Sequence, residues 1–257
     1  MSNPKLYVIE AQDIPTQSYS LTIKEPLFVD RREASKRVPV DKNIGYSVDQ
    51  LLLSMCIYGV NGKAIPPAPR DPIYKLKDLP TDDGQFVLQY FLGAFSIDEE
   101  LADEIKAFCE SLKGSTNAYY TIPKHIFPSG ERSVTFKTIT SGEQFDQDRV
   151  YPGEDSGCGY SLEELLFAAA IVEVDNKAVD KQKLPIDLLN DWPLLDVSVG
   201  LAIFLNICYI DKEQKKKARE LGKLSRMKPT DSKDGKRNKG KITAGITTLT
   251  EESVVES

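Results

Sequence analysis

The chain carries one histidine, one tryptophan, three methionines and four cysteines in 257 residues, and these scarcities remove whole classes of chemistry. His125 stands alone, with no serine or cysteine at a spacing that would make it the base of a nucleophile, so a Ser–His or Cys–His hydrolase has no support. Cys56, Cys109, Cys158 and Cys208 lie far apart, which speaks against a zinc site and suits reduced, packed thiols better than a disulfide frame. Apolar runs such as Leu51 to Ile57 and Leu201 to Ile207 fall well short of the ~20 residues of a membrane span, so no membrane partner is expected. Met1 to Ile9 lacks the basic, apolar and small-residue succession of a secretory signal, and none is expected. With 33 Lys and Arg against 39 Asp and Glu, the net charge of -6 argues against nucleic acid as the partner.

The remaining candidates for chemistry are thin. Gly153, Gly157 and Gly159 superficially suggest a phosphate loop, but they lack a preceding buried strand and a lysine at the required spacing, so they read as a flexible loop. The neighbouring carboxylates Asp82 and Asp83, or Asp146 and Asp148, read as exposed helix starts rather than a metal site or an acid–base pair. Trp192, next to Pro193, reads as a core anchor. No catalytic, cofactor-binding or metal residue is assigned, no cofactor is expected, and the chain reads as a non-enzyme that works by binding.

What the sequence does contain is an internal repeat. Shifted by 113 positions, Tyr7, Ile9, Pro15, Ser20, Thr22 and Lys24 fall on Tyr120, Ile122, Pro128, Ser133, Thr135 and Lys137. With one extra residue in the second copy, Gly45, Tyr46, Ser47, Leu51, Leu52, Ile57, Val60, Lys63 and Ala64 fall on Gly159, Tyr160, Ser161, Leu165, Leu166, Ile171, Val174, Lys177 and Ala178. The first offset then returns, pairing Pro80, Asp83, Leu88, Phe91, Leu92, Ile97 and Asp98 with Pro193, Asp196, Leu201, Phe204, Leu205, Ile210 and Asp211. Helical periodicity alone does not align prolines and a Gly-Tyr-Ser triplet.

Each triplet opens a helix. Ser47 with Gln50, and Ser161 with Glu164, form capping boxes that satisfy first-turn amides, and Tyr46 and Tyr160 sit where a hydrophobic staple would meet Leu51 and Leu165. Apolar positions 48, 51, 52, 55 and 58, and 162, 165, 166, 169 and 172, give each helix one core face, ended by the turn at Asn61-Gly62 or Asp175-Asn176. A second helix opens near Pro80 or Pro193, and Asp98 or Asp211 suits the cap of a third. Ahead of the helices, residues 6–9 with 20–24, and 119–122 with 133–137, read as a small hairpin that must lie on the helices or pair with another strand, within the chain or in an oligomer. Tyr46, Tyr58, Phe91 and Phe95 read as core rather than interface.

The predicted fold is therefore α+β and mostly helical. Two tandem related domains, residues 5–113 and 118–227, each hold a small β-hairpin followed by about three packed helices, and a disordered tail occupies 228–257. The segment 212–241 is basic within an acidic chain and reads as a solvated helix end and soluble tail, with an interaction arm for an acidic partner as the alternative.

The run Thr22-Ile23-Lys24-Glu25-Pro26, the helix after Ser47, Val60-Asn61-Gly62-Lys63 and Leu79-Pro80 with Asp83 resemble the small tail assembly chaperones of tailed bacteriophages. Val134-Thr135-Phe136, the helix after Ser161 and Trp192-Pro193 resemble them too. The resemblance implies a non-enzymatic assembly factor in the host cytoplasm that coats the tape-measure protein, recruits tail-tube subunits and is absent from the finished virion. The duplicated length departs from the family's single-domain pattern, so a tail or baseplate component retained in the virion is the alternative.

Overall fold

A computed structural model describes residues 5–38, 45–66, 73–112, 118–153, 156–180, 184–209, 216–217 and 219–220. The first half runs β1 (Leu6–Ile9), β2 (Leu21–Lys24), α1 (Phe28–Arg37), α2 (Val48–Cys56), β3 (Ile57–Val60), β4 (Lys63–Ala64), α3 (Tyr74–Lys77), α4 (Thr81–Ala94) and α5 (Glu99–Leu112). The second runs β5 (Tyr119–Ile122), β6 (Val134–Lys137), α6 (Ser141–Val150), α7 (Leu162–Ala170), β7 (Ile171–Val174), β8 (Lys177–Ala178) and α8 (Leu194–Cys208), with a 3-10 turn over Pro185–Leu189. Both belong to one compact unit, Met1–Asp211. The predicted tail, 228–257, and Asp211 lie outside the described residues.

The architecture is mixed α/β, and it corrects the expected hairpins. Each hairpin is half of a four-stranded antiparallel sheet, ordered β1-β2-β3-β4 in one half and β5-β6-β7-β8 in the other. Of the extra strands, β3 and β7 come from residues assigned above to the end of the capped helix, and β4 and β8 follow the turn. Both α2 and α7 stop after nine residues, and Tyr58 and Val172, expected on helical faces, lie in β3 and β7. The physical reason is local. Ile57 and the Ile171-Val172 pair are β-branched and favour strand, and the next turn needs positive φ at Asn61 and Gly62 (50° and 72°) or at Asp175 and Asn176 (51° and 60°), as a two-residue hairpin does. In each turn the first side chain also holds the residue just ahead of β2 or β6: Ser20 N–H donates to Asn61 Oδ1 at 2.9 Å, and Ser133 N–H to Asp175 Oδ1 at 3.0 Å. The ladders share a register break as well, between Thr22 and Ile23 and between Thr135 and Phe136.

The predicted caps form. Gln50 N–H donates to Ser47 Oγ at 3.2 Å while Ser47 N–H donates to Gln50 Oε1 at 2.9 Å, and Ser161 and Glu164 exchange the same two bonds. Asp98 caps α5 by accepting from Leu101 N–H at 2.9 Å. The helices α1 and α6 were not anticipated. The second has its own box, Thr140 with Glu143, and Lys137 pairs with Glu143 as Lys24 does with Asp30 (2.9 Å) ahead of α1.

Two cores result. One is built from Ile9, Leu21, Ile23, Leu51, Leu53, Ile57, Val87 and Phe91, all of the first half. The other gathers Ile122, Phe136, Leu165, Phe167, Trp192 and Phe204, and it also takes in Phe28, Ile105 and Cys109. The first half thus lends α5 and the first residue of α1 to the second core, with α5 packed along α8.

Candidate interaction surface

The residues with chemical potential are placed as supports or at the surface. His125 is exposed in a 3-10 turn, Lys124–Ile126. All four cysteines are free thiols. Burial pushes Cys56 up to about 12 and Cys208 up to about 11, so neither thiol ionises near neutral pH. Asp146 and Asp148 are exposed on α6, and Trp192 is a core residue, edge-on to Phe127 at 6.5 Å with the Arg132 guanidinium 4.8 Å from its ring. Among the described residues no group of three His, Cys, Asp or Glu is placed to hold a metal ion, and no helix is long and apolar enough to cross a membrane.

Asp82 is exposed as expected of a helix start, but Asp83 is not: it has no accessible surface. Its carboxylate accepts from Thr16 N–H at 3.1 Å, from Thr16 Oγ1 at 2.7 Å and from the Tyr19 hydroxyl at 2.6 Å, tying the β1–β2 connection to the first turn of α4. Asp196, equally buried, accepts from Ser129 N–H at 3.1 Å and Ser129 Oγ at 2.5 Å in the first turn of α8, with Arg132 Nε at 3.8 Å. These two are structural anchors. A signal for them was present, since the repeat aligns Asp83 with Asp196 and a helix N-terminus favours a carboxylate.

The anchors should respond to acid with opposite signs. At Asp83 burial alone would raise the carboxyl, but the three donors outweigh it and hold it below the usual range; at Asp196 burial prevails over the two Ser129 bonds and Arg132, and the carboxyl is raised. Asp83 therefore adds stability above its ordinary value and loses it as pH falls through the lowered one. Asp196 favours folding below its ordinary value and loses that contribution as pH rises through the raised one. At pH 7 we expect Asp83→Asn to destabilise more than Asp196→Asn, with the gap closing towards pH 4. Urea unfolding of both variants at the two pH values checks this, and a gap that widens in acid would refute the assignment.

The joint between the halves is polar, with Arg32 and Glu164 buried in it. Phe28 N–H donates to Trp192 C=O and Leu194 N–H to Pro26 C=O, both at 2.9 Å, so the chain entering α1 is stitched to the chain entering α8. Arg31 pairs with Glu164, while Arg32 Nη1 lies 3.0 Å from Asp187 Oδ1 and 2.7 Å from Asn190 Oδ1, its guanidinium 5.0 Å from the Tyr160 ring centre. Gly159, read above as part of a flexible loop, is the floor of this seat. Its φ is +77°, and a Cβ there would lie 2.4 Å from the Arg32 carbonyl oxygen. Gly45 has φ +83°, but a Cβ there would meet nothing described within 4 Å. Gly45→Ala should then cost about 1–2 kcal/mol for its backbone alone, whereas Gly159→Ala should cost visibly more because the joint must also open. Equal losses in urea melts would remove Gly159 from the joint.

Beyond the joint, some of the exposed apolar side chains stand on strand edges. Leu6 and Val8 on β1, and Tyr119 on β5, are exposed on edge strands. Tyr58, expected in the core, is 47% exposed on β3, while Phe91 and Phe95 are buried and Tyr46 half-buried. A groove of about 690 Å³ runs beside β7, β8 and the Pro185–Leu189 turn, with Gln147, Ala169, Val179 and Leu188 among its walls. Phe145, at 64%, and Val150, at 66%, stand out from α6. Edge strands with exposed apolar side chains and a mixed groove are suited to taking up an extended or helical protein segment. Comparison with protein-family models, curated proteins and solved structures found no match to this chain.

Proposed function

We propose that the chain arose by tandem duplication of one α+β module and acts without catalysis, as a phage tail assembly factor. In this reading it binds tape-measure or tail-tube proteins in the host cytoplasm while the tail is built. The observation that carries the binding part is the exposure of Leu6, Val8 and Tyr119 on the edge strands of the two four-stranded sheets. Strand edges recognise a partner by backbone hydrogen bonds, and two linked modules raise the effective concentration of the second contact once the first is made, which suits a long partner. The phage assignment is supported by the motif resemblance at residues 22–26, 60–63 and 79–83 and their counterparts. Affinity capture of the tagged chain from phage-infected cells should recover tape-measure or tube protein, and recovery of neither overturns the proposal.

A retained tail or baseplate component is the second reading, favoured by the duplicated length. Mass spectrometry of purified particles separates the two: an assembly factor is absent from the virion, a component is present.

A further inference from the structure

The joint inside the chain has a donor side, residues 26–32, and an acceptor side, made of the start of α7 and residues 187–194. If the halves are copies, each half owns one of each. The first half's donor occupies the second half's acceptor. That leaves the second half's donor, residues 139–145, and the first half's acceptor, around Tyr46, Gln50, Tyr74 and Lys77, at opposite ends of the repeat.

The unused donor is exposed where the used one is buried. Phe28 and Arg32 are 0% and 9% accessible, whereas no residue of α6 is buried and Phe145, at the position of Arg32, is 64% accessible. A phenylalanine so exposed on a short helix is the kind of feature that marks a contact surface.

The substitutions on the two sides outside the joint match each other. In the occupied joint Arg31 meets Glu164. The repeat places Gln144 at the first position and Gln50 at the second, so an ion pair is exchanged on both sides for two amides that can hydrogen-bond. In the occupied joint Arg32 meets Tyr160, Asp187 and Asn190. At the corresponding places stand Phe145 on one side and Tyr46, Tyr74 and Lys77 on the other, so a cation beside one aromatic ring, one acid and one amide is exchanged for an aromatic ring beside two aromatic rings and a lysine stem. Independent drift of two solvent faces gives no reason for both partners to change character together. The face of α4 agrees: Tyr90, 36% accessible, takes the place of Ile203, which is fully buried in the core that α5 completes.

We propose that the chain associates head to tail with further copies of itself, residues 139–145 of one copy seating on the Tyr46–Gln50 and Tyr74–Lys77 surface of the next. Such a heterologous contact leaves one donor and one acceptor free at each end, so it extends into a filament or closes into a ring instead of stopping at a twofold dimer. The proposal takes from the functional reading only the pairing of the two halves.

Sedimentation velocity on the full chain from micromolar to hundreds of micromolar tests it. The wild type should rise in mass above one chain with concentration. Phe145→Glu, a change at an exposed side chain, should remain one chain throughout while keeping the wild-type circular dichroism and melting temperature. The double variant Gln50→Glu with Gln144→Arg, which copies the Glu164–Arg31 pair, should bind itself about threefold to tenfold tighter at low salt and lose that gain at high salt. A wild type that stays a single chain, a Phe145→Glu variant that associates like wild type, or a double variant with no salt-dependent gain overturns the proposal. Capture of tail proteins by Phe145→Glu from infected cells is scored separately: capture retained leaves the functional reading standing whatever the sedimentation shows, and capture lost with a wild type that never associates assigns Phe145 to that partner and also overturns the self-association.

Discussion

Phe28→Ala should destabilise the protein by about 3–5 kcal/mol, the range for removing a fully buried aromatic side chain. Phe28 has no accessible surface and belongs to the second core although it lies at the first residue of α1, 94 positions before Ile122. Its removal leaves a cavity bounded by elements of both halves, so the loss should appear as one cooperative transition in which the halves unfold together. Urea unfolding followed by Trp192 fluorescence, which reports the second core, and by circular dichroism, which reports the whole chain, checks the prediction. Two separated transitions in the wild type, or a loss below about 1 kcal/mol in the variant, the ordinary scale of a surface change, would contradict the shared core.

The second large effect concerns two positions that have exchanged volume. Val87 and Leu53 are buried together in the first core; Gly200 and Phe167 hold the corresponding places in the second. A Cβ on Gly200 would sit 2.6 Å from Phe167 Cζ, so the phenylalanine ring occupies the space that the valine side chain fills in the first half. Gly200→Val should therefore cost about 3 kcal/mol or more, since Phe167 is fully buried and cannot swing out. Phe167→Leu alone should cost about 1–2 kcal/mol by the methylene bookkeeping of core truncations. Together the two changes recreate the pair of the first half, and the double variant should lose at least 2 kcal/mol less than the sum of the singles, near the top of the range seen for residues in contact. Thermal and urea melts of the three variants decide it, and additive losses would show that the two cores are not packed alike.

The parts of the fold that were legible in the sequence are those fixed by short-range chemistry. Ser47-x-x-Gln50 and Ser161-x-x-Glu164 announce helix starts because the box satisfies amides three residues away, and Asp98 announces α5 in the same manner. The helix ends were misread because Leu51, Leu52, Met55 and Tyr58 keep a helical period across the boundary, while the strand preference of residues 57–60 is expressed only when β2 pairs beside them. Thr140-x-x-Glu143 was as readable as the others, yet α6 buries nothing and so lacks the apolar stripe that draws attention to a helix. For α1 the obstacle was different: its cap is Leu27, its buried Phe28 and Arg32 meet partners more than a hundred positions away, and its buried Ala34 packs in the first core. The same holds for Gly159. Its positive φ can be guessed from a loop, but its closeness to the Arg32 carbonyl depends on how the halves meet. Asp83 shows the limit from the other side: an acid in a first turn is ordinarily solvated, and only the placement of Thr16 and Tyr19 makes it an anchor.

The borrowed residues also set an order of events at the ribosome. Phe28 and the apolar side of α5 emerge early, but their seat is not complete until Phe204 has been translated, and at about 5–20 residues per second that interval is on the order of ten seconds or longer. During it the nascent chain must carry an unsatisfied greasy helix and an aromatic plug without sticking to its neighbours. Premature termination in the second half before Phe204 should accordingly yield material that aggregates rather than a smaller soluble protein.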